Sequence, residues 1–329
     1  MDLRQLRYFV GIVQAGSLSR AADQLHVAQS AISHHLASLE AELDRQLVTR
    51  CSKGIQITEA GGVLYRHAEA ILRHLECAKQ DAMSARNAPS GRVTVGFPMT
   101  WASILSYELL ARVRSAYPQI LLHLSDTQNS LLRERLLNGR LDIALLFADQ
   151  PERGLAVEPL LLEELFYVTA DRDESSIRIA DAAQRPLLMC GPNSANRRII
   201  DDAFRKYRLS VTPVAEIDTL STLRRAIASG LGSAIVSWSA LCDGDDARPL
   251  NYRRFADAKL VRSVALCFSE VGHRSPAVEA VAQTLKSLIR ELVESNDWQG
   301  VSLIAPAAKP SRSTAPQMRG EYVEAALTE

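Results

Sequence analysis

The chain has 329 residues, of which 47% are hydrophobic and 23% are charged, and its formal net charge is +0. This length exceeds what one hydrophobic core usually holds, so we expect two or three folding units. No apolar run approaches the roughly 20 residues that span a bilayer. The first residues also lack the pattern of a secretory signal, so we expect a cytoplasmic protein. A net charge of zero gives no indication of nucleic-acid binding.

The cysteines and the usual catalytic motifs give no sign of a metal or cofactor site. None of the five cysteines forms a CxxC pair or stands at zinc-finger spacing from a histidine, so reduced thiols are expected. The chain contains no GxSxG, Walker, HExxH or dinucleotide-binding pattern. We therefore expect no enzyme, no cofactor and no metal site.

Residues 1–59 predict a small helical domain. Asp2 can cap a first helix, whose apolar positions follow helical spacing and which ends at Gly16. Ser19 can cap a short second helix. A third helix is predicted over residues 29 to about 43, with an apolar stripe of Ile32, Leu36, Leu39 and Leu43.

A hairpin and a long helix follow. Strand-favouring residues around a turn at 52–54 predict a β-hairpin, called the wing, between residues 47 and 58. Thr58 can cap a helix whose apolar residues repeat as a heptad seam. The seam residues are Leu64, Ala68, Ile71, Leu75, Ala78 and Ala82. We favour a dimerisation helix and hinge over residues 60–91, because little of the chain nearby remains to cover it. The alternative is an amphipathic helix lying on its own domain.

From residue 92 onward, predicted strands alternate with helices, which favours mainly parallel sheets with helices on both faces. Two such sets predict a two-lobed domain over residues 92–295. The predicted division is lobe I, about 92–162 and 269–295, and lobe II, about 163–268. Prolines break the segment 296–329, and we expect a disordered tail there. A strand at 301–304 is the open alternative.

The third helix has the pattern of a DNA-recognition helix. In a helix-turn-helix, the first helix braces the second, whose N-terminal end enters the major groove. Opposite the apolar stripe, and on its N-terminal flank, stand side chains that can bond bases or phosphates. The candidates are Gln29, Ser30, Ser33 and His34, with His35 as a further donor and Arg50 and Lys53 in the wing for the backbone or minor groove. Spacing alone leaves a generic three-helix module open.

Six runs between positions 3 and 65 form one recognisable pattern. The runs are Leu6-Arg7-Tyr8-Phe9, Gly16-Ser17-Leu18-Ser19-Arg20-Ala21-Ala22, Leu25-His26-Val27-Ala28-Gln29-Ser30-Ala31-Ile32-Ser33, Leu39-Glu40, Leu47-Val48-Thr49-Arg50 and Thr58-Glu59-Ala60-Gly61. This pattern resembles the N-terminal signature of LysR-type transcriptional regulators. The resemblance implies an all-α winged helix-turn-helix, a dimerising linker helix and an α/β two-lobed effector domain like a periplasmic binding protein.

The resemblance also implies partners. Regulators of this kind bind an interrupted palindrome in double-stranded promoter DNA as a homodimer or homotetramer, meet RNA polymerase there, and take a small-molecule effector between the lobes. His34 stands where the family often has arginine and Ser30 where it often has proline, which would alter phosphate contacts and sequence preference. Residues 64–68 and 227–232 resemble the nitrogen-assimilation-control branch, whose members need not respond to a small coinducer.

Four predicted loops supply polar residues for an effector site. Ligands of α/β lobes bind beyond the carboxyl ends of strands, where helix N-termini offer N–H groups. The effector candidates are Thr100, Thr127, Asn129, Asn193, Ser194 and Thr219. Helix capping is the alternative role for these residue types. Helix N-termini favour an anionic effector, with Arg197 and Arg198 as the nearest cations.

Two other classes of protein fit a two-lobed domain. A solute-binding protein would share the lobes, but the helix-turn-helix and the missing secretory signal argue against it. An enzyme on the same scaffold would need a catalytic motif. We therefore predict an effector-modulated DNA-binding regulator.

Overall fold

The computed structural model describes residues 1–51, 54–84, 88–147, 153–172, 175–192, 194–242, 250–270 and 274–304, with the backbone alone at residues 77 and 80–84. The predicted site residues Lys53 and Asn193 lie outside these ranges, as do residues 305–329. Within the ranges, no helix is long and apolar enough to cross a membrane. The same ranges contain no cluster of His, Cys, Asp or Glu side chains placed to hold a metal ion.

Helices dominate the N-terminal part, and strands alternate with helices after it. The helices are α1 Leu3–Ala15, α2 Leu18–Leu25, α3 Gln29–Leu43, α4 Glu59–Ser84, α5 Met99–Ala116, α6 Asn129–Leu137, α7 Ile179–Ala183, α8 Ala195–Lys206, α9 Leu220–Ala228 and α10 Pro276–Glu294. The strands are β1 Val48–Cys51, β2 Gly54–Ile57, β3 Gly91–Pro98, β4 Ile120–Thr127, β5 Ile143–Phe147, β6 Leu155–Thr169, β7 Leu188–Met189, β8 Ala215–Glu216, β9 Ala234–Ser237, β10 Asn251–Arg253, β11 Val261–Ser269 and β12 Val301–Leu303.

The ends of α1 follow the predicted capping. The Asp2 carboxylate accepts a hydrogen bond from the backbone N–H of Gln5 at 2.8 Å, and the Gln5 side chain accepts one from the backbone N–H of Asp2, which forms a capping box. Gly16 ends the helix in the left-handed conformation, with φ of 62°. The predicted cap of the second helix at Ser19 is wrong, since α2 begins at Leu18. Leu18 is buried in the domain core, which draws the helix start toward the Gly16 turn.

One mixed sheet of eight described strands spans both lobes. Its order is β10-β6-β11-β5-β3-β4, and β9 and β12 also pair with β6. Strand β3 is parallel to β4 and β5, whereas β11 is antiparallel to both β5 and β6. The prediction of mainly parallel sheets is therefore wrong, because the chain re-enters lobe I through a strand that runs against β5. Strands β7 and β8 form a separate parallel pair in lobe II.

Strands β6 and β11 mark the boundary between the lobes. Residues 155–164 of β6 pair with β11 and β12, and residues 165–169 pair with β9 and β10. At the boundary, the backbone N–H of Leu165 donates to the carbonyl of Leu260 at 2.8 Å. Residues 264–267 of β11 pair with β5 in the sheet of lobe I, which corrects their predicted place in lobe II.

The first half of β6, the short helix α7 and strand β10 were not predicted. Pro159 interrupts the strand pattern of β6, because proline cannot donate to a ladder. In the structure, Val264 of β11 lies opposite Leu161 of β6, and the next residue, Ala265, lies opposite Pro159. Leu160 is therefore the extra residue of a β-bulge. A bulge at a proline explains why a continuous strand leaves a broken pattern in the sequence.

Residues 296–304 pack onto lobe I, which corrects the expected disordered tail over these positions. Trp298 is 1% exposed, and its ring centroid lies 6.0 Å from that of Trp101. Strand β12 pairs with β6, so the alternative of a strand in this segment is confirmed. One large aromatic side chain supplies much of the apolar area that holds the segment in place. A single anchor of this kind has no periodicity that sequence analysis could detect.

Candidate nucleic-acid interface and effector cleft

The recognition helix α3 presents a polar edge to solvent. Of its predicted apolar stripe, Ile32, Leu36 and Leu39 are buried in the core shared with α1 and α2, whereas Leu43 at the end of the helix is 38% exposed. The opposite side carries the predicted DNA contacts, exposed at Gln29, Ser30 and His34 and half-buried at Ser33. The structure thus brings these four residues onto one edge of one helix.

Two side-chain contacts support this edge. The Ser19 hydroxyl donates to Oε1 of Gln29 at 3.2 Å, which joins the bracing helix α2 to the start of α3. The His35 ring packs edge-on against the Tyr8 ring, with their centroids 5.1 Å apart. His35 is half-buried by this packing, whereas its neighbour His34 stays exposed. Of the two histidines, His34 is therefore the one whose side chain is exposed on this edge.

The wing is anchored to the turn between α1 and α2. The backbone N–H of Ile55 donates to the carbonyl of Gly16 at 3.0 Å. Gly54 has φ of 122°, and a Cβ there would lie 2.5 Å from the same carbonyl oxygen, so the contact requires glycine. Arg50 is exposed on β1, where the sequence predicts it, and Lys53 lies outside the described residues.

Glu40 and Gly61 fix the base of the wing. Oε1 of Glu40 accepts hydrogen bonds from the backbone N–H groups of Leu47 at 2.8 Å and Val48 at 3.3 Å. Oγ1 of Thr58 accepts one from the N–H of Gly61 at 3.0 Å, and so caps α4 as predicted. A Cβ on Gly61 would lie 2.0 Å from the Leu47 carbonyl oxygen. These contacts give a physical reason why Glu40, Thr58 and Gly61 stand at their positions in the sequence runs quoted above.

The predicted seam of α4 divides into two parts. Leu64 and Ala68 pack against Leu6 and Val10 of α1, so the alternative of a helix lying on its own domain holds at this end. In the second part of the seam, Ile71 is 40% exposed, Leu75 is half-buried and Ala78 is exposed. The side chain of Ala82 lies outside the described residues. A partner helix therefore has only the second part of the seam available.

Thr100 is the predicted cleft residue with a buried, unsatisfied polar atom. It is the second residue of α5, directly after β3, and its Oγ1 has no hydrogen-bond partner among the described residues. Burying a hydroxyl without a partner costs free energy. Thr127, half-buried at the end of β4, pairs in register with Pro98 and so lies beside the start of α5. The structure brings these two predicted residues together.

The other predicted cleft residues have different surroundings. Asn129 binds the backbone of Phe147, because its Oδ1 accepts from the N–H at 2.9 Å and its Nδ2 donates to the carbonyl at 3.4 Å. Asn129 therefore holds the end of β5. Ser194 and Thr219 are the N-cap residues of α8 and α9, but neither side chain makes a capping hydrogen bond. Asn193 lies outside the described residues.

Arg197 is bound by acidic groups of its own lobe. Its guanidinium pairs with Asp201 at 3.0 Å and Glu216 at 2.9 Å and donates to the carbonyl of Cys190 at 3.2 Å. The hydrogen bond to Glu216, together with Asp201, raises the pKa of Arg197 although burial opposes the shift. The predicted cation at this position is thus neutralised within the lobe, and Arg198 is exposed.

A buried ion pair at the lobe boundary was not predicted. The side chains of Glu163 on β6 and Arg262 on β11 are 0% and 2% exposed, with Nη2 and Oε2 2.6 Å apart. Glu163 also accepts from the indole N–H of Trp101 at 3.1 Å and from the Ser239 hydroxyl at 2.5 Å. The two charged residues are 99 positions apart, so no local motif joins them. Arg262 is the one charged residue of β11, whereas β6 also carries Glu158 and Glu164, so the sequence does not single out Glu163 as its partner.

Arg262 reaches from lobe I to lobe II. Its Nη1 donates to Oδ1 of Asn196 and its Nη2 to Oγ of Ser237, both at 2.9 Å. The guanidinium carbon lies 3.8 Å from the centroid of the Phe147 ring, a cation–π contact. The pair therefore joins residues of both lobes through hydrogen bonds.

Comparison with known families covers most of the chain. Residues 3–62 match the family described as "Bacterial regulatory helix-turn-helix protein, lysR family". Residues 86–290 match the family described as "LysR substrate binding domain". The first match covers the N-terminal helical domain with its wing, and the second covers most of the two-lobed domain.

Two relatives illustrate the similarity. The chain is 38% identical over 308 residues to "Nitrogen assimilation regulatory protein nac" of Escherichia coli (strain K12), which covers 92% of this chain and 100% of that protein. It is 26% identical to "HTH-type transcriptional regulator BbuR" of Bordetella bronchiseptica, covering 91% of this chain and 94% of that one. These relatives are regulators, which confirms the expectation that the chain is not an enzyme.

Solved structures show the same architecture. A full-length OxyR variant from Pseudomonas aeruginosa aligns with a TM-score of 0.69 and 25% identity, covering 88% of this chain and 95% of that one. Full-length CbnR in complex with its target DNA shares the fold with a TM-score of 0.62 and 20% identity, covering 88% of this chain and all of that one. The chain therefore belongs to the LysR family of transcriptional regulators, with an N-terminal winged helix-turn-helix and a two-lobed effector domain.

Proposed function

We propose that the exposed edge of α3 reads operator bases and that the wing contacts the DNA backbone or minor groove. The residues are Gln29, Ser30, Ser33 and His34 on α3, with Arg50 and Lys53 in the wing. The observation that supports this is the polar edge of α3 opposite the buried residues Ile32, Leu36 and Leu39. Glutamine can bond both hydrogen-bonding groups of adenine, and serine can reach a base or a phosphate.

Fluorescence anisotropy with the DNA upstream of the chain's own gene tests this proposal. Ser33→Ala combined with His34→Ala should weaken binding by about tenfold or more, because each good base contact contributes about 1–3 kcal/mol. Arg290→Ala is the control, since Arg290 is exposed on α10 and distant in sequence. Circular dichroism should show both variants folded. A double variant that binds with unchanged affinity would contradict the proposal.

We infer that the second part of the α4 seam forms a homodimer, and that two dimers assemble into a tetramer on an interrupted palindrome. In this part of the seam Ile71 and Ala78 are exposed and Leu75 is half-buried, so a partner helix can cover them. This assembly acts in the cytoplasm at a promoter, where RNA polymerase is a further partner. A dimer would place two α3 helices on two half-sites.

Sedimentation of the full chain tests the seam. Leu75→Asp places a charge in the apolar contact, which is costly without a partner, and should shift the chain toward monomer. Val63→Asp is the matched control, because Val63 is exposed on the same helix outside the seam. Equal assembly of Leu75→Asp and wild type would show that the dimer forms elsewhere.

A small polar effector between the lobes is the third part of the proposal. The buried Oγ1 of Thr100 supports it, since a ligand would supply the missing hydrogen-bond partner. The N-termini of α5, α8 and α9 favour an anion. Glu163 already neutralises Arg262, so an anion would be held by helix N–H groups and hydroxyls. The effector acts through unequal affinity for two arrangements of the lobes.

Transcription from the target promoter at constant protein level tests the effector. Wild type should change activity when the inducing nutrient changes, and Thr100→Val should lose that response. Thr284→Val is the control, because the Thr284 hydroxyl donates within α10 to the Ala280 carbonyl at 2.9 Å. A Thr100→Val response equal to that of wild type would exclude Thr100 as a contact. A wild type that responds to no nutrient would refute the effector itself.

A further inference from the structure

The linker helix α4 is bound to lobe I through the guanidinium of Arg73. Its Nη2 donates to Oγ1 of Thr94 on β3 at 2.7 Å, and its Nη1 donates to the carbonyl of Gly139 in the loop between α6 and β5. The same guanidinium forms an ion pair with Asp142. Asp142 in turn accepts from the N–H and the hydroxyl of Thr94, both at 2.7 Å. One arginine thus contacts strand β3 and the loop before β5, two separate parts of lobe I.

A second ion pair lies one helical turn earlier on α4. Nε of Arg140 donates to Oε2 of Glu69 at 2.7 Å, and the guanidinium lies 5.6 Å from the centre of the Tyr65 ring. The Tyr65 hydroxyl donates to Oε1 of Glu69 at 2.6 Å. Burial of the hydroxyl raises the pKa of Tyr65, and the hydrogen bond to Glu69 is the second cause of the increase. Nε2 of Gln14 on α1 donates to the Tyr65 oxygen at 3.3 Å, so the contact extends into the DNA-binding domain.

The backbone of the same loop lies against α4. Gly139 has φ of 65°, and a Cβ there would lie 3.1 Å from the Cβ of Ala70. A larger residue would therefore meet α4 and would also be strained in the left-handed region. The loop of residues 138–142, with Arg73 and Glu69 on α4, is called the clamp from here on.

Strand β5 joins the clamp to the cleft. It begins at Ile143, directly after Asp142, and ends at Phe147. Phe147 is held by Asn129 and lies under the guanidinium of Arg262. A shift of the lobes that moves Phe147 along the strand axis would also move Asp142, because an extended strand is near its maximum length and cannot stretch.

The geometry points to a positioning role for the clamp: Arg73 and Arg140, with Asp142 and Glu69, set the orientation of the effector domain on the linker helix, and thereby the spacing of the recognition helices on DNA. This inference rests on the proposed function of effector-modulated DNA binding. Charge-assisted hydrogen bonds are directional, so a clamp made of them holds one orientation better than an apolar contact would. Two sites are coupled when both change the balance between two arrangements of the structure that connects them. Here the connecting structure is the clamp, with the DNA-binding domain on one side and the lobes on the other.

Charge reversal in the full-length protein separates positioning from simple stabilisation. The variants are Glu69→Arg, Arg140→Glu and the protein that carries both changes, called the double exchange. Three quantities are measured: the melting temperature, the preferred half-site spacing, and the bend of the operator DNA, from fluorescence transfer between the two ends of the DNA. Each single variant should change the bend or the spacing preference, and the double exchange should restore both. Arg140→Gln, at a side chain 44% exposed, is the milder variant should a reversal fail to fold.

The control is Glu291→Arg, which breaks the Arg112–Glu291 surface pair inside the effector domain and should leave bend and spacing unchanged. The inference is overturned if the single variants lower only the melting temperature, or if the double exchange does not restore the bend. Affinity for one isolated half-site, measured alongside, should stay unchanged in every clamp variant. Loss of half-site binding by wild type itself would instead refute the proposed function.

Discussion

The Glu163 carboxylate and the Arg262 guanidinium meet at 2.6 Å on the two strands that mark the lobe boundary, and both side chains are almost fully buried. Trp101 and Ser239 hydrogen-bond the carboxylate from opposite lobes. A buried pair of this kind is costly to desolvate, and its strongest effect is seen when one partner is removed. The pair therefore links the two lobes at their boundary.

Glu163→Gln should destabilise the protein strongly, because it leaves the Arg262 charge buried without a counter-charge. The expected loss in the free energy of unfolding is about 3–5 kcal/mol, measured by urea denaturation. Glu164→Gln is the adjacent control, since its partner Arg254 is 66% exposed and lies 3.5 Å away. An exposed pair contributes about 1 kcal/mol or less. Equal losses for the two variants would mean that burial of the pair has no special effect.

Two neighbouring glycines of α4 give opposite predictions. Gly61→Ala should destabilise the DNA-binding domain by about 1–3 kcal/mol, because its Cβ would overlap the Leu47 carbonyl at the base of the wing. Gly62→Ala meets nothing closer than the Arg66 guanidinium at 3.8 Å. It should raise stability by up to about 1 kcal/mol, the difference between alanine and glycine inside a helix. Thermal unfolding of both variants checks the pair, and a stabilised Gly61→Ala would refute the close approach.

Trp298→Ala should destabilise lobe I by about 3–5 kcal/mol, as expected for removing a buried aromatic side chain. The adjacent Gln299 is exposed, so Gln299→Ala should change stability by less than about 0.5 kcal/mol. Urea denaturation of both variants gives the comparison. If Trp298→Ala unfolds at the same urea concentration as wild type, the segment is not part of the lobe I core.

Sequence analysis predicted what local patterns specify. The stripe of Ile32, Leu36 and Leu39 is a local repeat, so it predicts both the buried face of α3 and the polar edge opposite it. Capping by Asp2 and Thr58 also depends on neighbours within three residues.

The missed features depend on residues far apart in the chain. Glu163 and Arg262 are 99 positions apart, and Trp298 is an isolated anchor without periodicity. The contact of Asn129 with Phe147 was not predicted for the same reason, since Phe147 lies 18 positions away. Residue type predicted a polar group at that loop, but only the fold shows that the group is used to hold β5.

Base-by-base substitution of the operator, measured with wild type, Gln29→Ala and Arg50→Ala, tests the recognition role of α3 most directly. Wild type should discriminate at an A·T pair in each half-site, and Gln29→Ala should lose about 1–3 kcal/mol of that discrimination. Arg50→Ala should instead weaken binding to all sequences alike and reduce its salt dependence, as a backbone contact does. A Gln29→Ala protein that keeps every base preference of wild type would contradict the assignment of α3 as the reading helix.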